Sequence, residues 1–354
     1  MSPNLAMAAG ATALAIGGVA AGLKLERELV GRRLREVPAD VAEPFFALRS
    51  DGPAVQTSDG VRLHVEVDEA DPTESDGGLP TLVFVHGYAL GLDCWHFQRQ
   101  HFRGRFRMIF YDQRSHGRSG RSAPELCRIP RLAEDLAQIL REVADRGPVI
   151  LIGHSMGGMT ILELAREHPE WFGGCGDGVG PIIGVGLICT SADGLLDPHP
   201  VRGLPGRVAS SLVEPTVAVL NRIPTVLEQT RQADTDLAYL ITRQLSFPSS
   251  VPAGYVAFIQ QMFSVTPMDV LADFYPAFLD LDQSEGLEVV NRVPTTVVGA
   301  VQDLVLPLRH TEAILDRLPD AEQLILDPSG HLAMIEHHDA VNAELDALVN
   351  RAAT

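Results

Sequence analysis

The stretch that decides the fold is "VILIGHSMGGMT", residues 149–160. Four apolar residues lead into Gly153, and an apolar helical pattern begins at Met159, so Ser155 lies where a buried strand gives way to a helix. A turn that lifts a side chain above a sheet needs an unfavourable backbone conformation, and glycine at 153 and 157 avoids the resulting clash. The stretch therefore predicts a nucleophilic serine on a sharp strand-to-helix turn. The alternative is a serine that only caps the helix.

Short apolar runs alternate with amphipathic helical patterns on both sides of this stretch. Unbroken apolar runs are typical of strands that are covered on both faces, and their alternation with helices predicts an α/β fold with a mostly parallel sheet. The runs are "TLVFV" at 81, "RMIFY" at 107, "VILIG" at 149, "PIIGVGLI" at 181, "TTVVGA" at 295 and "EQLIL" at 322. Upstream, "VQTSDGVRLHVEV" from residue 55 predicts a hairpin that turns at Ser58-Asp59-Gly60.

One long region breaks the alternation. Residues 193–285 carry mainly helical patterns and frequent prolines, which indicates a helical cap inserted into the α/β core. The predicted organisation is a hydrophobic N-terminal segment (1–35), a linker (36–54), a first part of the core (55–192), the cap (193–285) and a second part of the core (286–354).

A serine hydroxyl is a poor nucleophile unless a base takes its proton and an acid orients that base. His331 lies in a loop after "EQLIL", and Asp303 lies just beyond "TTVVGA". Ser155, Asp303 and His331 thus each follow a different predicted strand, at the edge where open α/β sheets bind ligands. They are the predicted nucleophile, acid and base. Other nearby candidates for the acid are Asp280, Asp282 and Asp327, whereas His337 and His338 are predicted on an exposed helix face.

An acyl-transfer site also needs backbone N–H donors for the oxyanion. One donor is predicted at Met156, the residue after the nucleophile. The other is predicted in the loop after "TLVFV", which reads His86-Gly87-Tyr88, with the Tyr88 amide as the donor.

Charge and cysteine content argue against two classes of function. The formal net charge of −18 at pH 7 repels phosphate backbones, and no basic stripe interrupts it, so a nucleic-acid partner is not expected. The four cysteines show no CxxC pair and no histidine at metal-ligand spacing, so neither a disulfide framework nor a zinc site is indicated. No metal and no cofactor are expected.

The N-terminal segment contains no charge from Leu5 to Leu23, a length of about 28 Å as a helix, close to the thickness of a bilayer core. Basic residues follow it, which by the positive-inside rule leaves the bulk of the chain cytoplasmic. Three interpretations stay open: an anchor of residues 5–23 in the inner membrane, a soluble or interfacial helix, and a cleaved signal.

Five ordered motifs together resemble the α/β-hydrolase superfamily over roughly residues 55–350, apart from the cap. The resemblance implies an eight-stranded, mostly parallel sheet with the cap over the active site. It also implies that Ser155 attacks, His331 shuttles the proton and Asp303 fixes the imidazole. One departure is Ser115, where a glycine is common. The motifs are His86-Gly87 with Trp95 and Gln98, Asp112-Gln113-Arg114 with His116-Gly117-Arg118-Ser119, Gly153 to Gly158, Asp303, and Gly330-His331.

A serine at position 155 argues against haloalkane dehalogenases and epoxide hydrolases, which resemble one another in using aspartate there. The sequence is best interpreted as a carboxylic ester hydrolase, lipase-like, acting on a small-molecule ester. Apolar residues in the cap favour a lipophilic substrate, although packing of the cap explains them equally well. The alternatives are a C–C bond hydrolase, perhydrolase or acyltransferase on the same triad, or a non-catalytic ligand-binding protein. The apolar residues are Val217, Val219, Leu220, Leu240, Phe258, Phe263, Phe274 and Phe278.

Overall fold

The computed structural model describes residues 43–71, 79–144, 147–174, 181–194, 242–243, 246–279 and 281–353. The elements that shape the candidate site lie in one compact unit, Pro44–Ser249 and Tyr255–Thr354. The predicted N-terminal segment, 5–23, and much of the predicted cap, 195–241, lie outside the described residues.

Nine strands are found in the described part of the chain. Seven of them form the main sheet, in the order β3-β5-β4-β6-β7-β8-β9, with only β3 antiparallel to its neighbour. The strand bounds are Val55–Gln56 (β1), Arg62–Leu63 (β2), Val65–Asp68 (β3), Thr81–Val85 (β4), Met108–Tyr111 (β5), Val149–His154 (β6), Ile182–Ile188 (β7), Thr295–Ala300 (β8) and Glu322–Leu326 (β9).

The mostly parallel sheet confirms the predicted fold class. Every residue of β4, β5, β6 and β8 is buried, as expected for strands with helices on both faces. The main sheet has seven strands among the described residues, one fewer than the family resemblance implies, and β1 and β2 form a separate two-stranded sheet. That pair is the predicted hairpin, and Gly60 turns it with a left-handed φ of +88°.

The interpretation of "EQLIL" as a strand covered on both faces was wrong. This run forms β9, which lies at the edge of the main sheet and pairs only with β8. None of its five residues is fully buried, and Ile325 keeps 38% of its surface exposed. An apolar run predicts a strand but not whether that strand lies at the centre or at the edge of the sheet, and β9 is an edge strand that is only partly covered.

Helices cover both faces of the sheet. Buried side chains of α2 and α3 pack with one face of β4, β6 and β7, and α9 contacts β7 and β8 on the other face, where Gly184 and Gly186 face Ala352 and Leu345. The helix bounds are His96–Phe102 (α1), Ile129–Val143 (α2), Met156–Glu167 (α3), Ala253–Val265 (α4), Met268–Phe274 (α5), Ser284–Val290 (α6), Arg309–Arg317 (α7), Ala333–Glu336 (α8) and His338–Ala352 (α9).

Helix α6 makes an unusually close approach to α3, the helix that follows Ser155. A Cβ placed on Gly286 would lie 2.1 Å from the backbone oxygen of Leu162, so only glycine fits there. The Gln283 side chain, just before α6, donates a 2.6 Å hydrogen bond to the Met159 carbonyl. These two contacts hold α3 against α6.

Within the ranges that the structure describes, no helix combines the length and the apolar character needed to cross a membrane. The described part of the predicted cap is helical, with α4 and α5 between residues 253 and 274. The domain boundaries themselves stay predictions.

Candidate active site

Ser155 occupies a strained turn between β6 and α3, with φ 52° and ψ −120°. Glycine is required at positions 153 and 157 because a Cβ at either position would clash with the backbone. A Cβ on Gly157 would lie 2.0 Å from the Val85 carbonyl oxygen, and one on Gly153 would lie 2.6 Å from the Gly158 nitrogen. Strain of this kind persists only where the surroundings over-determine it, as at reactive sites. The Ser155 side chain makes no cap hydrogen bond to α3, which argues against the capping interpretation.

The structure brings Ser155, His331 and Asp303 together. His331 Nε2 lies 3.0 Å from Ser155 Oγ, and His331 Nδ1 lies 2.7 Å from Asp303 Oδ2. These are hydrogen-bond distances on both sides of one imidazole ring. All three residues are buried, in loops or turns that follow β6, β8 and β9.

Asp303 is held so that one oxygen serves His331 and the other serves its own loop. Its Oδ1 accepts 2.8 Å hydrogen bonds from the backbone amides of Val305 and Leu306. Of the other aspartates considered from sequence, Asp282 binds Ser284 and Asp327 binds Gln302. Asp280 lies outside the described residues.

The loop that carries His331 is fastened to the loop that carries Asp303. The Gln302 backbone amide donates to the Ser329 carbonyl at 2.9 Å, and the Ser329 amide donates back to the Gln302 side chain at 2.8 Å. Glu336 accepts a 2.7 Å hydrogen bond from the Gly330 amide. These contacts fix the distance between the histidine and the aspartate, and nothing in the sequence indicated Gln302 or Glu336.

His154, which directly precedes Ser155, supports the backbone of His331. Its Nε2–H donates a 2.9 Å hydrogen bond to the backbone carbonyl of His331. Complete burial, together with the nearby His331 ring, holds the pKa of His154 well below its usual value. His154 is therefore a neutral donor, a role that the sequence motif did not reveal.

The predicted oxyanion loop lies beside Ser155. A Cβ on Gly87 would come within 3.1 Å of the Ser155 Cβ, so a side chain at 87 would crowd Ser155. His86 shapes this loop: its Nδ1–H donates to the Gly87 carbonyl at 2.7 Å, and its Nε2 accepts from the Gln113 amide at 2.8 Å. Burial lowers the pKa of His86, which fits a neutral ring with one donor and one acceptor.

The two predicted oxyanion donors lie in two segments that both border Ser155. Met156 is the first residue of α3, where a backbone N–H has no acceptor within the helix. Tyr88 lies in the loop after β4, one residue from Gly87. Both amides belong to segments that border Ser155.

Ser115 retains the backbone conformation that a glycine would adopt most easily. Its φ is +64°, in the left-handed region. Its hydroxyl accepts a 2.9 Å hydrogen bond from the Ser122 amide, which offsets part of the strain. The departure from the glycine common at this position thus leaves the loop in a left-handed turn.

A cluster of buried apolar side chains includes Met156, the residue after Ser155. It joins α2 and α3 to the segment that contains α5. Two phenylalanines proposed from sequence as cap residues, Phe274 and Phe278, belong to it, whereas Phe258 stacks on Phe45 at 4.0 Å. The members are Cys127, Ile129, Leu132, Met156, Met159, Val270, Phe274, Phe278 and Leu306.

The prediction that His337 and His338 occupy an exposed helix face was wrong. Both are half-buried. The His338 ring stacks on Phe97 at 4.0 Å, and His337 Nε2 lies 2.6 Å from the Pro328 carbonyl oxygen. Neither contacts Ser155.

The described residues contain no group of three or more histidine, cysteine, aspartate or glutamate side chains arranged to hold a metal ion. Cys94, Cys127 and Cys189 are buried thiols without a disulfide. Burial raises the pKa of each, so they are poor nucleophiles.

A mostly parallel sheet that presents a serine, an aspartate and a histidine in contact beyond three strand ends has the arrangement of the α/β-hydrolase fold. The sequence profile of the alpha/beta hydrolase family matches residues 82–344, and the chain belongs to this family.

Individual relatives are distant. The chain is 25% identical over 264 residues to a candidate carbamate hydrolase, RutD, of Caulobacter sp. (strain K31), covering 74% of this chain and 88% of the relative. It is 24% identical over 276 residues to a candidate esterase/lipase of Haemophilus influenzae, covering 77% and 84%. Among solved structures, a thermophilic esterase from Thermogutta terrifontis superposes with a TM-score of 0.62 at 22% identity, over 87% of this chain and all of that one.

Proposed function

We propose that this protein is a serine hydrolase that cleaves carboxylic esters through an acyl-enzyme on Ser155. The observation that carries the proposal is the unbroken hydrogen-bond chain from Ser155 Oγ through the His331 ring to Asp303, with contacts of 3.0 and 2.7 Å. Few functions other than nucleophilic catalysis require a buried serine, histidine and carboxylate that are hydrogen-bonded in this order.

In the proposed mechanism, Ser155 Oγ attacks the ester carbonyl while His331 Nε2 takes its proton. Asp303 keeps the ring oriented and stabilises the imidazolium, and its own orientation is fixed by the Val305 and Leu306 amides. The tetrahedral intermediate then expels the alcohol, which receives the proton from His331. Water, activated by the same histidine, releases the acid and restores the serine.

The proposed oxyanion donors are the backbone amides of Met156 and Tyr88. Support comes from the start of α3 at Met156, where the helix dipole and its free amides favour negative charge. For Tyr88, support comes from the close packing of the His86-Gly87 backbone against Ser155.

We propose that the ester is a lipophilic small molecule. Support comes from the apolar character of the segment predicted as cap, whose Phe274 and Phe278 pack in one cluster with Met156, the residue after Ser155. Burial of apolar substrate surface contributes about 25 cal/mol per Å² to binding. We also retain residues 193–285 as the proposed cap.

A carbamate is the second candidate substrate, because a relative is named for carbamate hydrolysis. The same three residues could transfer a carbamoyl group to water. C–C bond hydrolysis, perhydrolysis and acyl transfer to an alcohol would also use this triad and differ in their products.

The test is labelling of the intact protein with a fluorophosphonate probe, followed by peptide mapping. A single adduct on Ser155 is expected, and Ser155→Ala should abolish it and lower kcat on esters by several orders of magnitude. Full esterase activity in Ser155→Ala would exclude the mechanism. An absence of any adduct on the folded wild type would favour a ligand-binding protein.

Ser191→Ala is a matched control. Ser191 is also buried and lies 2.8 Å from a histidine, His310. Its hydroxyl donates to the Asp193 carbonyl, so its proton is not directed at the His310 ring. We expect Ser191→Ala to label as the wild type does. Matched aryl esters and aryl carbamates of equal size then distinguish the two substrate classes by kcat/KM.

A further inference from the structure

The oxyanion loop, defined as residues 86–91, is tied to a segment far away in sequence. The Tyr88 hydroxyl donates a hydrogen bond to the Leu271 carbonyl in α5. The same carbonyl accepts the Tyr275 backbone N–H, so both of its lone pairs are in use. We call residues 266–278 the clamp segment.

A second hydrogen bond joins the same two segments. Thr266 Oγ1 lies 3.4 Å from the Ala89 carbonyl oxygen, and Thr266 is buried. Ala89 has a φ of +62°, a left-handed conformation that is strained for alanine. A strained residue keeps its conformation only where its surroundings impose it, and the contact with Thr266 is part of those surroundings.

Ring contacts fix the Tyr88 side chain on both sides. Its ring meets Phe278 edge-on at 5.2 Å and His116 at 6.1 Å. Phe274 packs on the same His116 ring at 5.3 Å. The clamp segment therefore contacts the oxyanion loop through packing as well as through hydrogen bonds.

We infer that Tyr88 is a positioning residue: its hydroxyl, held by the clamp segment, fixes the orientation of its own backbone amide as an oxyanion donor. This inference rests on the proposed function. Its physical basis is that the side chain and the amide share one Cα. A tyrosine held at its ring and its hydroxyl leaves that amide little freedom to turn away. Oxyanion stabilisation depends on donors that are aligned before the charge develops.

A consequence is that the clamp segment contributes to the chemical step without touching the ester carbonyl. Removal of one complete oxyanion donor lowers kcat by about 10²–10³. Loss of the Tyr88 hydroxyl keeps the amide and removes only its alignment, so the expected fall is smaller, about tenfold, with KM unchanged.

The test compares wild type and Tyr88→Phe with two inhibitors of identical carbon skeleton. The Ser155 hydroxyl adds to the carbonyl carbon of an alkyl trifluoromethyl ketone and forms a tetrahedral oxyanion. The matching methyl ketone mimics the unreacted substrate. For Tyr88→Phe we expect kcat on a soluble ester to fall about tenfold, with the Ki of the trifluoromethyl ketone rising to the same extent. The Ki of the methyl ketone should not change. A loss of general packing would weaken both inhibitors alike.

Two further variants complete the test. Tyr255→Phe makes the same chemical change at a tyrosine whose hydroxyl lies 3.5 Å from His338, and it should leave both Ki values unchanged. Thr266→Val should weaken the trifluoromethyl ketone selectively, and Thr266→Ser, which keeps the hydroxyl, should restore it. Thermal unfolding of each variant verifies that it is folded.

The outcomes separate the inference from the function on which it rests. A wild type that forms no trifluoromethyl ketone adduct and hydrolyses no ester overturns both. A reactive wild type with an unchanged Tyr88→Phe overturns the inference alone, as does a Tyr88→Phe that binds both ketones more weakly by the same factor.

Discussion

At the scale of single residues, Ser115 balances backbone strain against one hydrogen bond. Its left-handed φ of +64° costs about 1 kcal/mol in a residue with a Cβ. Its hydroxyl accepts the Ser122 amide, a contact of similar value. Ser115→Gly should therefore change the free energy of unfolding by less than about 1 kcal/mol. Ser115→Ala keeps the strain and loses the acceptor, so it should destabilise by about 1–2 kcal/mol. Urea denaturation measures both, and an alanine variant as stable as the wild type would contradict this account.

The buried histidines give the protein a pH-dependent stability. Burial, reinforced by the neighbouring His86, lowers the pKa of His116 to about 3. Because the folded-state pKa lies below the unfolded value, the unfolded chain binds the proton first as the pH falls. The stabilising contribution of a neutral His116 is complete above about pH 6.5 and is lost progressively as the pH decreases towards 3.

His116→Asn should flatten this dependence. The asparagine amide can replace the Nδ1–H that lies 2.9 Å from the Arg114 carbonyl, but it does not titrate. Between pH 6 and 5 the slope of unfolding free energy against pH should fall by up to about 1.4 kcal/mol per pH unit. Urea denaturation at pH 7.5, 6 and 5 measures the slope, above the range in which ordinary carboxyl groups titrate. Parallel curves for wild type and variant would show that His116 has the same pKa in the folded and the unfolded chain, which contradicts this account.

The three candidate catalytic residues could be predicted from the sequence because each lies in the turn or loop after an apolar run that becomes a strand. Strand ends in a parallel sheet meet at one edge, so the runs together with the glycine-flanked Ser155 and the Ser-Asp-His order indicated these residues. The contacts that hold these residues and the oxyanion loop in place could not be predicted in this way. His154 reaches His331 across 177 positions, and Tyr88 reaches Leu271 across 183. Contacts of this kind depend on how the elements pack, which no local pattern encodes.

At the scale of elements, the contact between α3 and α6 depends on Gly286. Alanine is favoured over glycine within a helix by about 1 kcal/mol, so propensity alone predicts that Gly286→Ala stabilises. The 2.1 Å approach to Leu162 predicts the opposite, a loss of more than about 2 kcal/mol, because α6 must move away from α3.

Gly147→Ala is the control for this prediction. Gly147 has a left-handed φ of +74°, and a Cβ there would meet nothing within 4 Å. The control should therefore lose only the strain energy, about 1 kcal/mol. Chemical denaturation gives both values. If Gly286→Ala proved as stable as the wild type, α6 would not be seated on α3 as described.

Strand positions along the chain were predicted better than positions within the sheet. The runs at 81, 107, 149, 181, 295 and 322 all became strands. The edge rank of β9 and the separation of the first hairpin from the main sheet were not predicted. Both depend on which hydrogen-bonding partners remain available after the central strands have paired, and hydropathy does not report that.

At the scale of the whole molecule, the open question is whether the uncharged stretch from residue 5 to 23 attaches the protein to a membrane. This stretch lies outside the described residues. The anchor interpretation of this stretch predicts that deletion of residues 1–35 moves the protein from the membrane pellet to the supernatant after cell fractionation, and a full-length protein found in the supernatant would contradict it. Activity on soluble esters should be unchanged, because the triad residues lie at 155, 303 and 331. If the truncated protein still pelleted with membranes, attachment would have to come from another surface.

The position of β9 determines how this protein would fail under stress. His331 lies in the loop after β9, an edge strand that has a partner on one side only. Edge elements open locally at a lower free energy than the core. Brief detachment of β9 would carry His331, the proposed base, away from Ser155 while the central strands stayed paired. Inactivation on heating should thus precede the loss of circular-dichroism signal and reverse on cooling, so an activity assay would report damage that bulk spectroscopy misses.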